Sequence, residues 1–281
     1  MNDADGGRAA LVEKTRHIFL SPHYDDIALS AGATVAQLAD FGLQPETVIL
    51  FGSEPDPGAL RSPFAEAMHA GWGLSAEAVV RSRQAEEAAA AAILGATTRI
   101  LPFQDAIYRG HRYLSDHELF GHVSLEERSL PAEIAGALSL DNQPDAETRF
   151  YAPLAIGSHV DHQLAFHAAT LLAAGGWNVW FYEDAPYVLK ADALAARFDK
   201  TDSDLLEPAA LVPAAAGWER KIDAILCYPS QLETIFRHYV GVGDSRREIS
   251  DALDAYARSI GNGAAVERFW KMKSSPSISG S

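Results

Sequence analysis

Short apolar runs that hand over to Ala/Leu-rich stretches with helical spacing dominate this chain, and that alternation narrows its folding options more than any other feature. His17-Ile18-Phe19-Leu20-Ser21 is broken by Pro22, residues Ile27 to Phe41 carry helical spacing, and Thr47-Val48-Ile49-Leu50-Phe51 ends at Gly52. These segments read as one β-α-β unit, whose crossover helix forces its two strands to be parallel. The pattern continues. Arg99 to Phe103, Arg149 to Pro153 and Trp177 to Tyr182 are further strand candidates, while Ala76 to Leu94, Glu126 to Leu138 and Asp161 to Ala174 are expected helices.

Glu54 to Ser75 holds three prolines and no sustained period, so it reads as a long loop able to overhang a site. Beyond Pro186 the signal weakens to helical stretches near 190–198, 217–226 and 248–260. The expected fold class is α/β: a Rossmann-like, mostly parallel sheet flanked by helices, in one domain with a C-terminal helical elaboration. The expected boundaries are a flexible start over 1–16, the domain over 17–273 and a Ser/Gly-rich disordered tail over 274–281.

The length of 281 residues and a hydrophobic content of 48% are ample for a core, which excludes wholesale disorder. No apolar run approaches the length of a membrane span, and the polar beginning does not resemble a secretory signal. The single cysteine, Cys227, fits a reducing compartment, so the expected location is the cytoplasm. It also forces any metal site to use histidine and carboxylate. A net charge of −15 opposes nucleic-acid binding.

Two clusters sit where a strand gives way to a helix: Ser21-Pro22-His23-Tyr24-Asp25-Asp26 and Gly157-Ser158-His159-Val160-Asp161-His162. In an open α/β sheet such junctions face the ligand crevice. Catalytic zinc typically takes three protein ligands and keeps a position for water, and His23, Asp26 and His162 supply such a set. Asp25 is then left beside the ion, placed to take a proton from a water that the ion acidifies. His159 is expected to point at the developing oxyanion or at the leaving nitrogen, and Asp161 to orient one of the two imidazoles of its own turn. Taken singly, an Asp-Asp pair is an ordinary helix cap and a His-x-x-His an ordinary surface pair. Their joint placement at strand ends favours the metal reading. No Gly-x-Gly-x-x-Gly follows the first strand, which argues against a dinucleotide enzyme.

These residues resemble the LmbE/PIG-L-like zinc-dependent N-deacetylases. The family's His-Pro-Asp-Asp-Glu appears here as His23-Tyr24-Asp25-Asp26-Ile27, departing at Tyr24 and Ile27, and its His-x-Asp-His is matched by His159-Val160-Asp161-His162. Arg83-Gln84-Ala85-Glu86 before Leu94-Gly95 resembles the family's Arg-x-x-Glu helix, and Asp105 falls where a further acidic position often follows. The resemblance runs from about residue 17 to residue 185. It implies one Zn2+ held by His23, Asp26 and His162, with Asp25 as general base and His159 as electrostatic catalyst. It implies hydrolysis of an acetamido or related amide on an amino sugar or small glycoconjugate. Arg83, Asp105, Glu183 and Tyr182, with Tyr187, are candidate substrate contacts. Two other readings share the motif: an amidase cutting an internal amide of a sugar-thiol conjugate, and a metal- or sugar-binding protein without catalysis.

Overall fold

The computed structural model describes residues 11–55, 62–72, 76–139, 143–200 and 205–273. Its centre is a seven-stranded sheet in the order β3-β2-β1-β4-β5-β7-β6. Strands β1 (Arg16–Ser21), β2 (Glu46–Ile49), β3 (Thr97–Ile100), β4 (Thr148–Pro153) and β5 (Asn178–Tyr182) are mutually parallel. The residues of β4 are buried throughout, as are those of β1 after Arg16, as expected for strands covered on both faces. The Phe19 and Tyr151 rings stack at 4.2 Å between these two central strands.

The sheet is flanked by α1 (Asp26–Asp40), α2 (Pro63–Trp72), α3 (Ala76–Leu94), α4 (Leu130–Ser139), α5 (Val160–Ala174), α6 (Ala193–Lys200), α7 (Trp218–Ile225) and α8 (Arg246–Ile260). Helices α1, α3 and α7 pack together, as do α4 and α5. The chain leaves β1 towards β2 and β3 on one side, then returns to β4 and β5 on the other. The order therefore reverses between β1 and β4, and the two loops that carry the histidine clusters leave the sheet at that reversal.

Three differences from the sequence reading have physical causes. Within the expected loop 54–75, residues 63–72 form α2: Pro63 stands at its first position, where a missing N–H costs nothing, and Ser62 Oγ accepts from Ala65 N at 3.0 Å. The remainder of that loop at 56–61 and 73–75 lies outside the described residues. The C-terminal part is not only helical, because β7 (Val266–Met272) extends the sheet antiparallel to β5 and β6 (Leu206–Pro213) adds to its edge antiparallel to β7. Of the expected flexible start, residues 1–10 lie outside the described residues, whereas Leu11 is fully buried and Arg16 begins β1. The expected tail 274–281 also lies outside them.

Helix α1 is kinked at Ala31, and the freed amides are taken up by a carboxylate from the far end of the chain. Glu267 on β7 accepts from Ala33 N at 3.1 Å, Thr34 N at 2.8 Å and Thr34 Oγ1 at 2.6 Å, while Lys221 on α7 approaches it at 2.6 Å. Among the described residues no helix is long and apolar enough to cross a membrane.

Candidate metal centre

The loop after β1 and the start of α5 meet in one pocket, lined among others by His23, Asp25, Asp26, Arg83, Asp105 and His159. His23, His159 and His162 bring ring nitrogens within 4.8 Å of one another. Asp26 lies between two of them, Oδ2 3.5 Å from His23 Nδ1 and Oδ1 3.4 Å from His162 Nε2. It is itself fixed by the His23 backbone N–H at 2.7 Å.

The far nitrogens of both rings are occupied. His23 Nε2 meets Asp161 Oδ2 at 3.0 Å, and His162 Nδ1 meets Asp184 Oδ1 at 2.7 Å. Asp161 in turn accepts from Ala106 N at 3.0 Å and is paired with Arg109 at 2.7 Å. The inner nitrogen of His162, Nε2, is buried without a hydrogen-bond partner. A buried ring nitrogen left bare while its opposite nitrogen is carefully held is the arrangement a metal ligand requires. His23 Nε2 also lies 3.7 Å from Asp105, but Asp161 already engages that nitrogen, so this second group of acids reads as support behind the ring.

The electrostatics favour a positive charge at the centre. Burial alone lowers the pKa values of His23 and His162, but carboxylates overturn this: Asp161 and Asp26 raise His23 well above its ordinary value, and Asp26 and Asp184 raise His162. Burial works against an ionised Asp26, yet the neighbouring His162 and His23 hold its pKa below the usual carboxylate range. His159 is driven the other way, well below its ordinary value, by burial and by the positive His23. Its Nδ1 accepts from Asp161 N at 3.2 Å, which places the ring proton of the neutral form on Nε2. The donor set of imidazole and carboxylate, the bare nitrogen and the anionic surroundings together fit a divalent cation.

Asp25 is buried and faces Arg83, with Oδ1 2.9 Å from Nη2. Burial raises its pKa and Arg83 opposes the rise. Gly157, before the second cluster, has φ +89°, and a Cβ there would stand 2.7 Å from the Tyr187 ring, so only glycine lets the loop pass. Phe120 meets the edges of His159 and Tyr239 at 5.2 and 5.0 Å and forms an aromatic wall with Tyr187.

The sequence reading is corrected in part. Tyr182 does not reach the pocket: it is 1% exposed and donates to Leu20 O at 2.9 Å. Glu183 points into the protein, accepting from Arg268 at 2.6 Å and Trp270 at 2.9 Å, because β7 covers that side of β5. Asp161 holds His23 from the other loop, not an imidazole of its own turn as a hydrogen-bond acceptor. Arg83, a candidate substrate contact, is ion-paired with Asp25. Asp184 and Arg109 were missed as supports. Asp184 carried a usable signal, since it too follows the end of a parallel strand.

A doubly wound sheet with a His/Asp cluster that fits a divalent cation at its switch point, and a buried carboxylate beside it, is an arrangement suited to hydrolysis. The chain belongs to the PIG-L family: the model described as "GlcNAc-PI de-N-acetylase" matches residues 18–174. It is similar to the 2'-N-acetylparomamine deacetylase of Niallia circulans, 30% identical over 192 residues that cover 62% of this chain and 68% of that protein. The enzyme of the same name from Streptomyces fradiae is 29% identical over 82% of this chain and 78% of its own. Among solved structures, the zinc-inhibited form of teicoplanin deacetylase matches with a TM-score of 0.74 and 26% identity, over 93% of this chain and all of that one. The deacetylase of A40926 pseudoaglycone matches with 0.69 and 28%, over 92% and 98%. The protein is accordingly a hydrolytic N-deacetylase.

Proposed function

We propose that this protein hydrolyses the acetamido group of an amine-bearing amino sugar or small glycoconjugate, using zinc held by His23, Asp26 and His162. The observation that carries the reading is the bare, buried Nε2 of His162 facing Asp26 and His23. A divalent cation there supplies Lewis acidity, acidifying water and polarising the amide carbonyl.

The chain's own residues supply the rest. Asp25 takes the proton from the attacking water, with its carboxylate held in place by Arg83. His159, neutral and with its proton on Nε2, donates to the oxygen on which negative charge develops. Asp25 then returns the proton to the departing nitrogen, so that acetate and a free amine leave. The pocket interior of about 80 Å3 suits an acetyl group better than a long acyl chain. Asp105 and Arg83 line it as partners for sugar hydroxyls, with Phe120, Tyr187 and Tyr239 as a surface for a sugar face. The acidic lining and the net charge of −15 suit a cationic substrate, and both relatives are named for 2'-N-acetylparomamine. The compartment that fits a lone cysteine is the cytoplasm.

Zinc-loaded protein incubated with a panel of N-acetylated amino sugars should release primary amine and acetate in equal amounts. Asp25→Asn should lose turnover by a factor of about 100 to 10,000 while retaining its zinc by elemental analysis. Full activity in that variant removes Asp25 from the chemistry. Release of a larger acid in place of acetate would favour the internal-amide reading, and bound zinc with no hydrolysis across the panel would favour the non-catalytic one.

A further inference from the structure

A second cavity, of about 280 Å3, opens behind the loop that presents His159. His122, Ser158, Gln163, Phe166, His167 and Arg197 contribute to its walls. Arg197, on α6, is only 8% exposed. Its Nε donates to Leu154 O, and its guanidinium carbon lies 4.5 Å from the centre of the Phe166 ring. No carboxylate among the described residues comes within ion-pairing distance of it. Arg83 and Arg109, both half-buried, and Lys221, which is buried, each face one. Burial lowers the Arg197 pKa, and Asp184 restores it only in part. A largely buried arginine that lines a cavity and has no carboxylate partner among the described residues, in a protein with 38 acidic and 23 basic residues, is poorly explained by packing alone.

We propose that this cavity binds a small oxyanion, a carboxylate or inorganic phosphate, at the forked guanidinium of Arg197. The fork matches two oxygens of either anion, with His122 and His167 as further donors at the mouth. The anion would act as a brace. Leu154 O, which Arg197 grips, opens a loop that holds Ala155 at φ 63°, Gly157 at φ 89° and Ser158 at φ 67°, conformations that need outside support. Gln163 holds the same loop at Ser158 O, at 2.6 Å. The site is separate from the catalytic pocket and does not depend on the reaction proposed above.

The test is thermal unfolding of the zinc-loaded protein against increasing acetate and, separately, phosphate, with ionic strength held constant by sodium chloride. Either anion should give a saturable rise of about 3 °C at tenfold its Kd, beyond matched chloride, and the tighter one identifies the ligand. The rise should persist in Asp26→Asn, which disables the cation site and so removes anion binding there. It should vanish in Arg197→Met. Should that variant fail to fold, His122→Ala/His167→Ala at the mouth should weaken binding several-fold. No saturable rise in wild type, a rise retained in Arg197→Met, an unchanged Kd in the double variant, or a rise lost in Asp26→Asn would each overturn the proposal.

Discussion

His23 and His162 each turn one ring nitrogen to the centre and spend the other on an aspartate, Asp161 and Asp184. A carboxylate behind an imidazole fixes its tautomer and raises its basicity. Asp184 is well suited to this, because its second oxygen is tied to Ile156 N at 2.9 Å and so cannot swing away. Asp184→Asn should therefore weaken zinc binding about 10- to 100-fold in a competition titration with a chromophoric chelator, while leaving the fold intact. Unchanged affinity would mean that the His162 ring is held by packing alone. The residues that meet in the candidate metal centre were legible in the sequence because they lie within a few positions of each other on two turns. Arg109 was not, since it arrives alone from a remote segment, and Asp184 offered only its place just after a strand end, its partner His162 becoming visible in the assembled sheet. The departures from the family motif also become intelligible. The Tyr24 hydroxyl donates to Gly52 O and its ring lies 5.3 Å from the Arg83 guanidinium, anchoring a loop where proline would stiffen it. Ile27 is simply core.

Among the elements, the central strands β1 and β4 were readable because burial on both faces leaves continuous apolar runs, whereas β3, TTRI, is mostly exposed. Strand β6 was hidden by Pro208 and Pro213 and by the register shift between Pro208 and Ala210. Strand β7, VERFWKM, lay next to a stretch read as helical elaboration, and its pairing is entirely long-range. Helix α2 was masked by the very proline that begins it. Strand β1 also carries a pH liability. His17 is buried, with Nδ1 2.9 Å from the Tyr151 hydroxyl and Nε2 3.0 Å from Lys14 O, a pattern that suits the neutral ring. Burial pushes its pKa down to about 4 from an ordinary value of 6.5. As pH falls, the unfolded chain takes up this proton first, so the native state loses stability between about pH 6.5 and 4 and keeps it in full above that window. The loss from this one group is on the order of 3 kcal/mol. Denaturant melts at pH 7 and pH 4.5 should show a smaller difference in His17→Gln than in wild type. An equal difference would place the acid sensitivity elsewhere.

For the molecule as a whole, the excess of 38 acidic over 23 basic residues sets a long-range field. Such a field raises the local concentration of cations and is screened by salt over about 10 Å at 0.1 M. The KM for a polycationic N-acetylated amino sugar should thus rise several-fold from about 20 mM to about 0.5 M salt, whereas that for a neutral N-acetylglucosamine derivative should stay nearly flat. Equal salt dependence for both would mean that the surface charge serves solubility alone. The pocket also draws on much more of the chain than the matched family segment 18–174, since Pro186, Tyr187, Gln231, Thr234, Ile235 and Tyr239 line it.

The grip of Glu267 on the bend in α1 carries this dependence further. The helix that opens with Asp26 is aligned by one of the last residues of the sheet to be synthesised, clamped by Lys221. A nascent chain therefore displays every side chain of the candidate metal centre long before it owns the strut that sets the direction of α1, and hydrolytic competence becomes a late event in the making of the protein.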